Sequence, residues 1–267
     1  RFERAMSPMG LTSPAHATMF TGLAPWQHGV EGNNHHGYSL GPEHPVLADR
    51  FPGYRTGAFV SAYPAGPEGG LGRGWDTFSG PDSGERPGWE AVEEALMWLR
   101  VDEPSLLWVH IYEPHGPYVG CSDSDWDRYD EEVSRVDQIL EPLITLLRAR
   151  KARIVVAGDH GEVLDEETCA RQHERSSSDS VLRVPLFRWE PSLTSRVVTE
   201  IVGIDQVPAL LSGEPWRKEE VWIGESGLCE PGCSGCLPEG FLGRDRVAVG
   251  EKGRLTLRPG VGWIEEG

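Results

Sequence analysis

Residues Gly88–Tyr112 read G-W-E-A-V-E-E-A-L-M-W-L-R, then V-D-E-P, then S-L-L-W-V-H-I-Y. Trp89, Val92, Leu96 and Leu99 recur at three- and four-residue spacing, which predicts an amphipathic helix over Gly88–Arg100. Ser105–Tyr112 is an apolar run of strand length. The pair repeats downstream. Tyr129–Ala149 carries a stripe of Val133, Val136, Leu140, Leu143 and Leu147, with Asp137 beside it in a solvated or capping role. Ile154–Ala157 is then a short, charge-free strand. Alternation of this kind predicts an α/β fold with a mostly parallel sheet sandwiched by helices. Upstream, Tyr54–Ser61 reads as a strand after the break at Gly53, and Pro45–Phe51 as a helical patch. Ala62–Pro87, rich in Gly and Pro, reads as a surface loop.

Both strands of the repeated pair end in chemistry-bearing residues, and open α/β sheets gather their sites at such ends. The first delivers Glu113-Pro114-His115-Gly116-Pro117-Tyr118. The second delivers Gly158-Asp159-His160-Gly161-Glu162. A carboxylate next to an imidazole is an ordinary ligand pair for Zn²⁺ or another divalent ion. A histidine between two prolines, taken alone, is a turn residue.

A third stretch, Ser7–Val30, reads as a loop entering a short helix. Ser13 has the chemistry of an N-cap and Pro14 that of a first helical position. Met19 and Phe20 are its apolar positions, and Thr21-Gly22 ends it. The Thr12 hydroxyl would then stand just ahead of a helix N-terminus, where backbone N–H groups and the dipole favour an anion. That is a geometry for a nucleophile on a phosphate or sulfate ester. It is equally the geometry of an ordinary capped helix.

Asp and Glu number 42 against 25 Lys and Arg, a formal charge of −17 over 267 residues. Nucleic acid and anionic membranes are poor partners for such a chain. An acidic protein that handles an anionic substrate needs a cation to hold it. No apolar run approaches the ~20 residues of a membrane helix.

Thr12-Ser13-Pro14-Ala15-His16, then Thr21-Gly22 and His28-Gly29-Val30, resembles the signature of the sulfatase branch of the alkaline phosphatase superfamily. That signature is C/S-x-P-S-R in one form and T-x-P-S-H-A-T/S-x-x-T-G in a large subgroup. Ala15 replaces the usual Ser. Thr12 stands where true sulfatases have the Cys that matures to formylglycine, so no formylglycine is expected. Glu113–Tyr118 resembles the family's D-P-H-x-P-Y, and Gly158–Glu162 its S-D-H-G-E. His173 falls where the family has a His or Lys that reaches substrate or metal. Leu182–Leu186, the V-G-I-D-Q-V-P-A-L-L segment within Val197–Leu211, and G-L-G-R-G-W-D-T-F also match in order. The K-x-H pair that holds sulfate in true sulfatases is replaced by Ser61 and Tyr63.

The resemblance implies a metal-dependent hydrolase of phosphate or sulfate esters, phosphoesters preferred, acting on a small anionic ester. Thr12 is then the nucleophile, bound to a divalent ion (Ca, Mg, Mn or Zn) that Asp159 and His160 hold. His16 orients nucleophile or ester. His115 stabilises developing charge or protonates the leaving oxygen, and His173 reaches substrate or metal. A non-catalytic relative, kept as a binding or structural module, is the alternative. The family places a strand with metal-binding carboxylates before the position of Arg1, so R-F-E-R-A-M reads as a joining segment. The chain as given is therefore expected to be nearly inactive. Residues 1–215 are expected to form the catalytic domain and 216–267 a small C-terminal subdomain with strands at Val221–Gly224 and Arg244–Arg258. Compartment and oligomeric state stay open.

Cys229, Cys233 and Cys236 form C-x3-C-x2-C, a spacing that can hold an iron–sulfur cluster. The Gly- and Pro-rich context fits a small Zn²⁺ or disulfide-stapled loop, or an unliganded one, better.

Overall fold

The computed structural model describes residues 1–164, 173, 176–227 and 244–266. In chain order its strands and helices are Phe2–Met6 (β1), Thr12–Thr21 (α1), Pro25–His28 (α2), Arg55–Val60 (β2), Thr77–Ser79 (β3), Gly88–Trp98 (α3), Ser105–His110 (β4), Asp125–Ala149 (α4), Ile154–Ala157 (β5), Asp179–Leu182 (α5), Arg183–Trp189 (β6), Val198–Gly203 (β7), Val207–Ser212 (α6), Val221–Glu225 (β8), Arg246–Gly250 (β9), Gly253–Arg258 (β10) and Gly262–Glu266 (β11). The chain divides into two compact units, residues 1–40 with 154–267, and residues 41–153. Cys169, Cys229, Cys233 and Cys236 lie outside the described residues, and Cys121 is an exposed thiol.

The first unit holds a sheet in the order β5-β6-β1-β7. β1 runs parallel to β7 and antiparallel to β6, and β5 runs antiparallel to β6. The chain's first residues thus form an interior strand rather than a joining segment. F-E-R-A-M shows no clean two-residue alternation; its neighbours on both sides supply the ladder that its own pattern does not announce. A second, wholly antiparallel sheet runs β11-β10-β9-β8, the small C-terminal sheet expected from the sequence. Met6, Val181, Leu182, Ile201, Trp222, Val247 and Val249 form one buried cluster of this unit. α1 is buried from Ser13 to Thr21. A helix covered on all sides has no need of an apolar stripe, which is why its sequence lacks one.

The second unit holds the parallel sheet β3-β2-β4. β3 lies inside the stretch read as loop. α3 packs on this sheet through Ala91, Val92, Ala95, Trp98 and Leu99, joined by Phe59 and by Leu143 of α4. The helix is rotated from the stripe read in its sequence: Trp89 is exposed, and Trp98 takes the inner face. Gly57 makes room for it, since a Cβ there would lie 2.8 Å from the Trp98 ring. α4 starts at Asp125, four residues before the sequence reading, because Ser124 caps it by accepting the Asp127 N–H at 3.1 Å. Val133 is exposed while its neighbour Glu132 is buried, at 3% exposure. The fold is α/β as expected, with parallel pairing in the second unit, mixed pairing in the first, and an antiparallel C-terminal sheet. Among the described residues no helix is long and apolar enough to cross a membrane.

Candidate active site

In the first unit, α1 begins at Thr12 itself, with Leu11 as its cap residue. Ser13 is therefore not the N-cap. Its hydroxyl accepts the Asn34 N–H at 3.2 Å, and its own N–H donates to Asn33 Oδ1 at 2.9 Å. With the Ser13 amide engaged and Pro14 lacking one, the first turn offers an anion fewer N–H groups than the sequence suggested. Gly22 ends the helix in the left-handed region at φ 75°, as expected. The H-G-V motif is structural here. Val30 N–H donates to His28 Nδ1 at 3.1 Å, so the neutral ring carries its hydrogen on Nε2, which lies 3.1 Å from Thr18 Oγ1. His28 thereby ties the turn after α1 back to the helix.

β5 hands the chain to Asp159 and His160 through two glycines. Gly158 N–H donates to Pro185 O at 2.9 Å, and Gly161 N–H to Val181 O at 2.7 Å. A Cβ on Gly161 would sit 2.0 Å from Ser180 O, so no other residue fits there. Asp159 Oδ1 accepts the His160 N–H at 2.9 Å. Its Oδ2 lies 3.6 Å from His160 Nε2 and 3.8 Å from His16 Nδ1. Thr12 Oγ1 lies 3.4 Å from the same His160 Nε2.

The tautomers follow from the carbonyls. His160 Nδ1 is 2.9 Å from Gly161 O, and a carbonyl only accepts, so Nδ1 carries the hydrogen. The neutral ring then turns its Nε2 lone pair toward Thr12 and Asp159. His16 Nδ1 likewise donates to Thr12 O at 2.9 Å. Burial lowers the His16 pKa below its ordinary value; the Asp159 charge and the Thr12 carbonyl oppose that, and His160 reinforces it. The His173 ring stacks on His160, with centroids 4.3 Å apart and planes at 23°. Both Glu162 carboxylate oxygens lie 3.1 Å from His173 Nδ1.

The donor set suits a divalent cation. A carboxylate oxygen and an imidazole lone pair converge, and the other ring nitrogen of His160 is spent on a carbonyl, the usual arrangement around a metal-ligating histidine.

In the second unit, His115 sits on the loop that follows β4. Its Nδ1 lies 2.7 Å from Gly116 O and 2.6 Å from the Tyr112 hydroxyl oxygen, and the two rings stack at 4.4 Å. Glu113, where the family pattern has Asp, accepts the Gly88 N–H at 3.1 and 3.2 Å, placing a carboxylate at the N-terminus of α3. On the far side of the loop, Tyr118 meets Tyr129 edge-on at 5.6 Å and Val119 N–H donates to Glu132 Oε1 at 2.6 Å. Glu131 accepts from the Ser122 hydroxyl and from Cys121 N–H, and these bonds hold its carboxyl below the usual range. Ser61, at the end of β2, is fully buried, and its hydroxyl makes no hydrogen bond among the described residues.

Of the residues singled out in the sequence, Thr12, His16, Asp159, His160 and His173 thus gather in the first unit, and His115 belongs to the second. Asn33, Glu162, Tyr112 and Glu132 support these residues or the loop that carries His115. Only Glu162, inside the G-D-H-G-E motif, carries a signal in the sequence.

The α/β fold thus gathers a hydroxyl, a carboxylate and imidazoles around the end of β5, where open α/β sheets place their sites. The Sulfatase family profile matches residues 1–212, and the chain belongs to that family. No curated protein matches it by sequence. Among solved structures it is similar to phosphonate monoester hydrolase SpPMH from Silicibacter pomeroyi, with 15% identity, TM-score 0.74, and coverage of 96% of this chain and 79% of that one. It is similar also to BT1596, a 2-O GAG sulfatase, with 16% identity, TM-score 0.72, and coverage of 99% and 76%. A third is BT4656, solved with its substrate D-glucosamine-2-N,6-O-disulfate, with 12% identity, TM-score 0.74, and coverage of 100% and 83%.

Proposed function

We propose that this chain carries the catalytic machinery of a hydrolase acting on small anionic esters, with Thr12 as nucleophile and phosphoesters preferred over sulfates. One observation carries the reading: the Thr12 hydroxyl faces the lone-pair nitrogen of His160, with Asp159 beside it. Residues 1–215 are the catalytic part in this reading, and 216–267 the C-terminal subdomain.

Asp159 and His160 would hold a divalent ion, which would supply charge to neutralise the ester and ease deprotonation of Thr12. His16, kept neutral, orients Thr12 through its backbone carbonyl. The Thr12 oxygen, its proton released to solvent, attacks phosphorus; the bond to the leaving oxygen breaks with its electron pair, and His115, entering as the imidazolium, gives that oxygen a proton. Water then releases the phosphate from Thr12. His173, backed by Glu162, stacks on His160 and fixes its plane.

The phosphoester preference rests on the nucleophile. A formylglycine hydrate expels sulfate by collapsing to the aldehyde, and a threonine has no such exit. Ser61 and Tyr63, in place of a Lys and a His, offer no cationic clamp. The test is kcat/KM on matched 4-nitrophenyl phosphate, bis(4-nitrophenyl) phosphate and 4-nitrophenyl sulfate, with and without added divalent ions. Phosphoester hydrolysis that needs the ion and is lost in Thr12→Ala is the expected result. A tenfold sulfate advantage, about 1.4 kcal/mol, overturns the preference. Activity surviving in Thr12→Ala overturns the nucleophile.

A further inference from the structure

We infer that Tyr112 is a positioning residue that, together with the Gly116 carbonyl, holds the His115 ring in the one tautomer able to give up and take back a proton at Nε2. The inference rests on His115 acting on the ester, as proposed above.

Nδ1 of His115 has two oxygens within hydrogen-bond distance, Gly116 O at 2.7 Å and Tyr112 Oη at 2.6 Å. The carbonyl can only accept, so the hydrogen sits on Nδ1 and the phenol oxygen is its second acceptor. Stacking of the rings at 4.4 Å and 25° keeps the imidazole from turning over. Chemistry at this ring is therefore chemistry at Nε2. When the imidazolium gives its Nε2 proton to the leaving oxygen, the ester bond's electron pair goes to that oxygen. The ring left behind is the Nδ1–H tautomer, which Gly116 and Tyr112 already bind. No rotation separates the acid from the base that later takes a proton from water. A histidine without such a partner would spend part of its time in the other tautomer, with the wrong nitrogen protonated.

Tyr112 itself is well placed to be rigid. It directly follows β4 and Ile111, which packs against the α3 cluster, and the loop beyond it is anchored at Glu113, Val119 and Cys121.

The experiment compares leaving groups. A proton donor matters much for phenyl phosphate, whose phenoxide leaves poorly, and little for 4-nitrophenyl phosphate. Tyr112→Phe keeps the ring and removes only the oxygen. It should lower kcat/KM on phenyl phosphate on the order of tenfold while changing the 4-nitrophenyl ester less than about threefold. Equal losses on both esters, or no loss, overturn the inference, because a merely structural defect cannot choose between leaving groups. His115→Ala in parallel separates the two claims. If it is selective in the same way and Tyr112→Phe is not, Tyr112 alone is misread. If His115→Ala is itself unselective, the acid role falls and takes the inference with it. Should Tyr112→Phe not fold, 3-fluorotyrosine at position 112 weakens the same acceptor with the ring in place. The same selectivity, reduced, is then expected, and its absence overturns the inference.

Discussion

The two units hold the residues proposed to react by different means. In the first, Thr12, Asp159 and His160 are set by close backbone packing: a buried helix, a glycine that fits against Ser180 O, and carbonyls that choose the tautomers. In the second, His115 rides on a loop pinned by carboxylates: Glu113, on the loop itself, accepts the Gly88 N–H of α3, and Glu132 and Glu131 of α4 accept the loop's Val119 and Cys121 N–H groups. The difference predicts how each region fails. Packing tolerates no added atom, so damage in the first unit spreads to the fold. A loop pinned by carboxylates can lose one pin and loosen locally.

The largest effect belongs to Thr12. Thr12→Ala should abolish whatever phosphate-ester hydrolysis the protein shows, an effect on the order of 10⁴-fold in kcat or about 5 kcal/mol where the activity is large enough to read it, with the thermal midpoint almost unchanged. Thr12 is the least packed residue of its helix, so activity and stability should separate there. A collapse of Tm would show that the hydroxyl serves the fold.

Gly161→Ala sharpens the contrast. Its Cβ would meet Ser180 O at 2.0 Å, and backbone faces it on that side. The strand end must move, at a cost of about 3 kcal/mol or more, and the Asp159–His160 pair moves with it. Loss of both stability and divalent-ion affinity, measured by melts and by metal titration, is expected. A variant with wild-type Tm would mean the packing around β5 is looser than its hydrogen bonds suggest.

Glu132→Ala probes the other mode. It leaves the Val119 N–H without its acceptor and opens a small cavity, a cost of about 1–3 kcal/mol. Hydrogen exchange should speed up at Val119 and its neighbours and stay unchanged in β2. Uniform acceleration through the unit would place Glu132 in the fold's core instead.

The legibility of the fold and the site in the sequence follows the same division. The strand ends loaded with Asp159-His160 and His115 are readable, because an apolar run stopped by Gly or Pro marks where a buried strand gives way to a loop. The class of fold is readable from the helix–strand repeat. The interior strand Phe2–Met6 is not, since its neighbours β6 and β7 are about 180 and about 197 residues away and nothing local marks it. Ser13 looks like a cap because side-chain chemistry alone cannot tell a cap from a residue bonded to Asn33 and Asn34. Trp89 and Val133 read as buried because periodicity finds a stripe but not its centre; Trp98 and Glu132 take the inner positions. Tyr112 and Glu132 act on His115 and its loop through single hydrogen bonds, and such bonds leave no periodicity in a sequence.

The smallest effect tests whether the first unit's packing extends beneath α1. Asp205, in the turn Ile204–Gln206, is raised above its ordinary pKa of 3.8: burial lifts it most, bonds from Gln206 and Arg217 pull it back, and Glu219 lifts it again. Because the folded carboxyl is the weaker acid, the native chain binds more protons than the unfolded chain from 3.8 up to its raised value. Stability from this group is then present at low pH and lost as pH rises through that window. At neutral pH the ionised carboxylate is a standing cost. Arg217 lies 2.9 Å away but is exposed, so water screens much of its help. Asp205→Asn keeps an acceptor for both neighbours and removes the charge. It should raise Tm by about 1–3 °C at pH 7 and lose that advantage near pH 4. A lower Tm at pH 7 would mean the Arg217 pair outweighs burial. The turn under α1 would then be held by charge, as the His115 loop is, and the contrast between the two units would narrow to the strand end at Gly161.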